Sequence, residues 1–258
     1  MTPWVKRLLL ANGIAYLLTY VVRIIDVQYF GFVPVAMVLR PWTVVTYMFL
    51  HAPGITHIAF NMLWLFLFGP RLETHLGGRQ FLWLYFVSGI VGALLSFAMT
   101  PRSPIPIIGA SGAVLGVIFG FARYWPREKI HILGVLPIEA RALVVVATIV
   151  SLYFGFAGGG GNIAHFGHLG GFLGGFLYLL WWDRRSPAAK FRAKAQAPVR
   201  RTSGSDSANV KRWQRINRDG MHPVNQEELD RILDKISASG IGSLSTEERD
   251  FLERFSTR

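Results

Sequence analysis

Six apolar stretches follow one another along the first 185 residues, near residues 8–25, 55–70, 80–100, 110–125, 138–157 and 163–182. Each approaches the roughly 20 residues a helix needs to cross a ~30 Å hydrocarbon core. The pattern therefore predicts an all-α, polytopic membrane protein with six transmembrane helices. Polar groups interrupt three of these stretches. The second is short and carries His57 and Asn61; the fourth is short and begins at Gly109-Ala110-Ser111-Gly112; the sixth is glycine-rich and carries His165 and His168. The first follows Lys6 and Arg7, as a secretory signal would. No small-x-small cleavage site intervenes before Arg23, so it reads as a retained span.

Beyond Trp182 the pattern changes. Residues 186–222 are rich in Ala, Ser, Arg, Lys and Pro without apolar periodicity, which predicts a flexible basic linker suited to anionic lipid. Residues 223–258 then read as a small cytosolic hairpin of two amphipathic helices. Asn225 with Glu228, and Ser245 with Glu248, have the spacing of capping boxes, and Gly240 suits a helix stop. Leu229, Ile232, Leu233 and Ile236 share one face of the first helix; Phe251, Leu252 and Phe255 share one face of the second. No chemical motif marks this hairpin. The expected organisation is a membrane domain over 1–185, a linker over 186–222 and the hairpin over 223–258.

Composition agrees with the membrane class: 52% of the 258 residues are hydrophobic and 16% charged, with a mean hydropathy of +0.36. The net charge of +12 and pI near 10.5 raise the question of nucleic acid. In the first 186 residues, however, the 13 Lys/Arg are dispersed between apolar runs and make no basic stripe, so no nucleic-acid partner is expected. Their asymmetry gives an orientation instead. With the amino terminus inside, the inner connections receive Lys6, Arg7, Arg71, Arg79, Arg123, Arg127, Lys129, Arg184 and Arg185, against Arg23, Arg40 and Arg102 outside. Both termini are thus expected on the cytoplasmic side. Trp4, Trp42, Trp181 and Trp182 suit aromatic belts, and His51 and His75 suit the membrane interface. The absence of cysteine excludes disulfides, Cys-ligated zinc and thiol nucleophiles.

Polar groups inside spans are costly and point to function. His57 and Asn61, four apart, project from one helix face. Ser111 stands where Pro101, Pro104 and Pro106 give way to an apolar helix, whose first N–H groups can receive a negative oxygen. Glycines at 112, 116 and 120, and at 167, 171 and 175, form two small-xxx-small faces along which backbones approach closely. Such approach would let the Ser111 hydroxyl meet the His168 imidazole at ~2.6–3.2 Å, the reach that activates a serine nucleophile. Asp26, Glu73, Glu128, Glu139 and Asp183 all lie at span ends or in connections, and Asp183 is ~22 Å of helix beyond His168. A Ser–His dyad without a third carboxylate is the expected machinery.

Through His57-x-x-x-Asn61, Gly109-x-Ser111-Gly112 and His168-x-x-Gly171-x-x-x-Gly175, the chain resembles the rhomboid intramembrane serine proteases over roughly residues 4–183. The resemblance implies that Ser111 is the nucleophile and His168 the general base. It assigns the oxyanion hole to His57, Asn61 and the Ser111 backbone N–H, and implies that Gly112, Gly116, Gly171 and Gly175 pack the helices. Arg40-Pro41-Trp42 is similar to part of the family's half-embedded first loop, and Glu73 to a structural carboxylate. One departure is that some rhomboids stack an aromatic residue, one turn after the serine, on the catalytic histidine; this chain has Leu115 there. His165 competes with His168 for the base.

The expected function is an intramembrane serine endopeptidase that hydrolyses transmembrane protein substrates near the outer face of the bilayer, with no metal and no cofactor. A rhomboid-like protein that binds client transmembrane helices without cutting them is the alternative. A small transporter would need mid-membrane charge or internal duplication, and neither occurs. No His-Glu-x-x-His, Gly-Lys pair or Gly-x-Ser-x-Gly occurs, which removes a zinc protease, a P-loop and a hydrolase elbow. A short amino terminus without an Arg/Ser-rich presequence favours a bacterial cytoplasmic membrane over a mitochondrion. The oligomeric state is not encoded in these patterns.

Overall fold

In the computed structural model, residues 1–132, 136–157, 162–185, 205–218 and 221–256 are described. The chain divides into two units, Met1–Ser186 and Pro187–Arg258. The glycines at 158–161 and the first part of the expected linker, 186–204, lie outside the described residues.

The first unit holds six long helices: α1 (Pro3–Tyr20), α2 (Ile55–Leu76), α3 (Gly78–Met99), α4 (Ser111–Tyr124), α5 (Ala140–Phe156) and α6 (Asn162–Arg185). Each overlaps one of the six apolar stretches, though α1 begins and ends about five residues earlier than the 8–25 expected. Taken alone, only α3 among the described residues is both long and apolar enough to cross a membrane; α4 and α5 are apolar but shorter. One element departs from the all-α expectation. Between α4 and α5 a two-stranded antiparallel hairpin, β1 (Lys129–Ile132) and β2 (Leu136–Glu139), pairs Lys129 with Glu139 and Ile130 with Ile138. The β-branched Ile130, Ile132 and Ile138 suit strands, but four-residue runs are too short to announce themselves as a period.

The centre of the unit is built from Leu65, Phe68 and Leu72 of α2, Phe81, Leu84 and Tyr85 of α3, Val117 and Phe121 of α4 and Leu179 of α6. Helix α6 runs between α3 and α4, and glycine decides how closely. A Cβ on Gly170 would lie 2.6 Å from Gly92 Cα, and one on Gly174 2.8 Å from Ser88 Cα. On the opposite face, Gly171 meets the Gly112 backbone and Gly175 the Gly116 backbone. Backbone thus rests on backbone on both sides of α6, an approach that any side chain would prevent. The outer faces carry exposed Leu10, Ile14, Leu63, Phe66, Val145, Ile149, Phe176 and Leu177.

The amino terminus is fixed by Glu73. Its carboxylate, 4% exposed, accepts from the backbone N–H of Trp4 (3.1 Å) and Val5 (2.9 Å), neutralising two orphan donors where α1 begins. The segment between α1 and α2 holds the approach to α4. Phe32 and Ile107 exchange backbone hydrogen bonds (3.0 and 2.7 Å), and Gly109 donates its N–H to the Tyr47 carbonyl (3.0 Å). At the far ends of α4 and α6, Asp183 accepts from Arg123 Nε (2.7 Å) and the Tyr124 hydroxyl (2.8 Å).

Among its described residues the second unit has three α-helices, α7 (Ser205–Gln214), α8 (Pro223–Ser239) and α9 (Thr246–Ser256). Helix α7 corrects the reading of 186–222 as linker throughout. Val210 and Trp213, spaced by three, share one face of it, and Trp213 and Ile216, just past the helix end, join Leu229, Ile232, Ile236, Leu244 and Leu252 in a small core. The Ser245–Glu248 capping box is reciprocal: Ser245 N–H donates to Glu248 Oε2 (2.8 Å) and Glu248 N–H to Ser245 Oγ (3.2 Å). The other expected box does not form. Helix α8 starts at Pro223 with His222 as its cap, and Glu228 pairs with Arg231 instead.

Candidate active site

Ser111 is the first residue of α4, and the chain reaches it through Gly109 at φ +128°, a backbone that side-chain-bearing residues rarely adopt. The first helical hydrogen bond runs from Val114 N–H to the Ala110 carbonyl (2.9 Å), so the N–H groups of Ser111, Gly112 and Ala113 have no intrahelical acceptor. His168 stands in the second turn of α6. Its Nε2 lies 2.8 Å from Ser111 Oγ. The distance follows from the glycine seam: Gly112 and Gly171 abut one residue after the serine and one turn after the histidine. His165 makes no such bond. Its ring stacks on Phe154 of α5 (centroids 5.3 Å, 22°) and meets the His168 ring edge-to-face (5.6 Å, 87°).

His57, in the first turn of α2, faces the same point. Its Nδ1 accepts the Ala52 N–H (3.0 Å), so a neutral ring carries its proton on Nε2. That Nε2 is 2.9 Å from the position a Cβ on Gly109 would take. Asn61, 6% exposed, donates one N–H to the His57 carbonyl (2.9 Å) and keeps a second donor. A cavity of about 360 Å³ joins Asn61 to Ser111 and His168. Asn61, Ser111, His165 and His168 supply its polar wall, while Trp64 of α2 and Leu143 and Val150 of α5 line its apolar side. Among the described residues, no Asp or Glu lines it.

Sequence reasoning misses several supports of this site. His51, expected at the interface, is fully buried and packs edge-on against His57 (5.1 Å). Tyr47 passes beneath the glycine seam and donates its hydroxyl to the Gly89 carbonyl (2.7 Å). Neither is marked by a spacing; Gly109 is, being part of the motif that contains Ser111.

Fold and site together define a helical bundle in which glycine-mediated packing brings a serine hydroxyl and an imidazole into contact beside a largely apolar cavity. The chain belongs to the rhomboid family: residues 39–184 match the rhomboid domain. Residues 216–258 match a family of unknown function, DUF6576. Relatives include rhomboid protease GluP of Bacillus subtilis (36% identity over 136 residues, 53% of this chain and 25% of that protein). Others are rhomboid-like protease 3 of Toxoplasma gondii (34% over 147 residues, 55% and 52%) and the mitochondrial rhomboid protein 1 of Saccharomyces cerevisiae (36% over 149 residues, 56% and 42%). The matched region thus spans between a quarter and about half of these relatives. The family is membrane-embedded and contains intramembrane proteases as well as inactive members. Its bacterial, mitochondrial and plant representatives assign a membrane but no compartment.

Proposed function

We propose that this protein is an intramembrane serine endopeptidase working through a Ser111–His168 dyad. The observation that carries this reading is the 2.8 Å separation of His168 Nε2 and Ser111 Oγ in a cavity beside unpaired helix-start N–H groups. His168 Nε2 takes the hydroxyl proton as Oγ attacks the scissile carbonyl carbon. The developing oxyanion falls to the Ser111 N–H, the free Asn61 N–H and the proton on His57 Nε2. His168 then gives its proton to the departing amide nitrogen, and water releases the acyl group by the same relay.

In this reading all six helices cross the bilayer, with both termini on the cytoplasmic side of a cytoplasmic membrane. The exposed apolar faces meet lipid. Ser111, His168, His57 and Asn61 all stand within the first two turns of their helices, so cleavage falls near the outer face. The substrates are transmembrane segments. They enter between α2 and α5, whose Trp64, Leu143 and Val150 share the cavity wall. A helical segment hides its carbonyls, so residues that weaken a helix are expected near the cut. Gly112, Gly116, Gly171 and Gly175 hold the dyad in place, and no metal or cofactor takes part.

The test compares the wild type with Ser111→Ala and His168→Ala for cleavage of a model transmembrane substrate and for covalent labelling by a fluorophosphonate. Loss of both signals in both variants is expected, with His57→Ala and Asn61→Ala each lowering turnover by about 10²- to 10³-fold. A wild type that neither labels nor cleaves would instead favour a protein that holds client helices without cutting them.

A further inference from the structure

We infer that His165 is a positioning residue for His168, itself held by Phe154 of α5. The inference rests on the dyad proposed above. General-base catalysis needs the imidazole plane fixed, because rotation carries Nε2 away from Ser111 Oγ. In this site the usual restraints are missing. Among the described residues no carboxylate lines the cavity, and the cavity-facing residue one turn after Ser111 is the aliphatic Leu115.

What does touch the His168 ring is His165, one turn earlier on the same helix, edge-to-face at 87° with centroids 5.6 Å apart. Two aromatic rings in this geometry attract each other and hinder each other's rotation. His165 is itself immobilised by packing: the Phe154 ring lies over it at 5.3 Å and 22°, while its Nδ1 is buried with no hydrogen-bond partner. Phe154, His165, His168 and Ser111 form a continuous line of contacts from α5 to the Ser111 hydroxyl: one stacked, one edge-to-face and one hydrogen bond. Helix α5 is otherwise loosely held, with only Ala140, Ser151 and Gly155 buried. Its seating on α6 therefore bears directly on the alignment of the base.

The experiment is a double-mutant cycle in the full-length protein, reading kcat and KM on a model transmembrane substrate, with Ser111→Ala as the blank. His165→Ala is expected to lower kcat by on the order of 10²-fold while KM moves by less than about twofold. Phe154→Ala, whose ring lies outside the cavity lining, should lower kcat less. In the His165→Ala background it should lower it no further, since its effect passes through His165. His165→Phe restores most of the lost kcat by returning a ring without a titratable nitrogen. Unchanged kcat in His165→Ala, a loss confined to KM, or losses that multiply would each overturn the inference. Failure of the dyad reading looks different: the wild type would then be no faster than Ser111→Ala.

Discussion

Replacing Gly171 by alanine adds one methyl group and should disable the site without touching a reacting residue. A Cβ there would lie 2.7 Å from the Gly112 carbonyl carbon and 2.8 Å from Gly112 Cα, with the carbonyl oxygen nearer still, whereas ordinary contact begins at 3.4 Å. The obstacle is backbone at the start of α4 and cannot swing aside. Relief requires α4 and α6 to separate by on the order of 1 Å at this level, since packed cores transmit such strain. His168 lies one turn from Gly171 and Ser111 is adjacent to Gly112, so the 2.8 Å contact would open to about 3.5–4 Å, beyond hydrogen-bonding range. A displacement of that size costs about 10²-fold in rate, and overpacking costs about 1–3 kcal/mol of stability. The assay is cleavage of a transmembrane substrate in proteoliposomes, with fluorophosphonate labelling rate and thermal unfolding measured on the same samples. Gly13→Ala, where a Cβ meets nothing within 4 Å, serves as the control. Should Gly171→Ala cut and label within twofold of wild type, the claim that glycine packing sets the dyad distance would be wrong.

Other perturbations probe other parts of the molecule. Gly109→Ala combines a φ of +128° with a Cβ 2.9 Å from His57 Nε2; it should cut turnover by about 10²-fold or more through loss of that donor, read as kcat. Glu73→Gln weakens the acceptor held by Trp4 and Val5 and should lower stability by about 1–3 kcal/mol, visible as a lower unfolding midpoint with little change in KM. In the second unit, the Lys235 ammonium, together with the Ser245 N–H and Arg231, holds the Glu248 carboxyl down to about 2. A depressed folded value means that its stabilisation is complete above the unfolded value near 4.5 and is lost as pH falls toward 2. Hydrogen exchange across α8 and α9 in the full chain should accelerate over that window, and Glu248→Gln should flatten the dependence.

What the amino-acid sequence makes legible depends on the kind of signal. All six long helices of the first unit can be read from it because long apolar runs depend little on tertiary context. Ser111 and His168 can be read because glycines every four residues imply backbone approach. Helix α7 escapes because three apolar residues among polar ones, Val210, Trp213 and Ile216, resemble a linker until a partner surface exists. The Asn225 cap fails for a local reason: Pro223 is better suited to a first helical position, and it moves the start three residues earlier. His51 and Phe154 are beyond reach, since their importance comes from rings that lie on a different helix or across a turn of the chain.

That division bears on the site itself. A triad marks its orienting group by chemistry, because a carboxylate among apolar residues is conspicuous in a sequence. A dyad orients its base by packing, and packing leaves no single conspicuous residue. In the dyad proposed for this protein, the work would be divided between Gly171 against Gly112, which sets the distance, and the ring of His165 against His168, which bears on the angle. Distance and angle then respond to different helices, α4 for one and α5 for the other. Movement of α5 to admit a substrate can therefore loosen the angle of the base while the glycine seam keeps the distance. In that case closure of α5 over the bound segment restores the reactive geometry, and kcat rather than binding reports how well α5 seats.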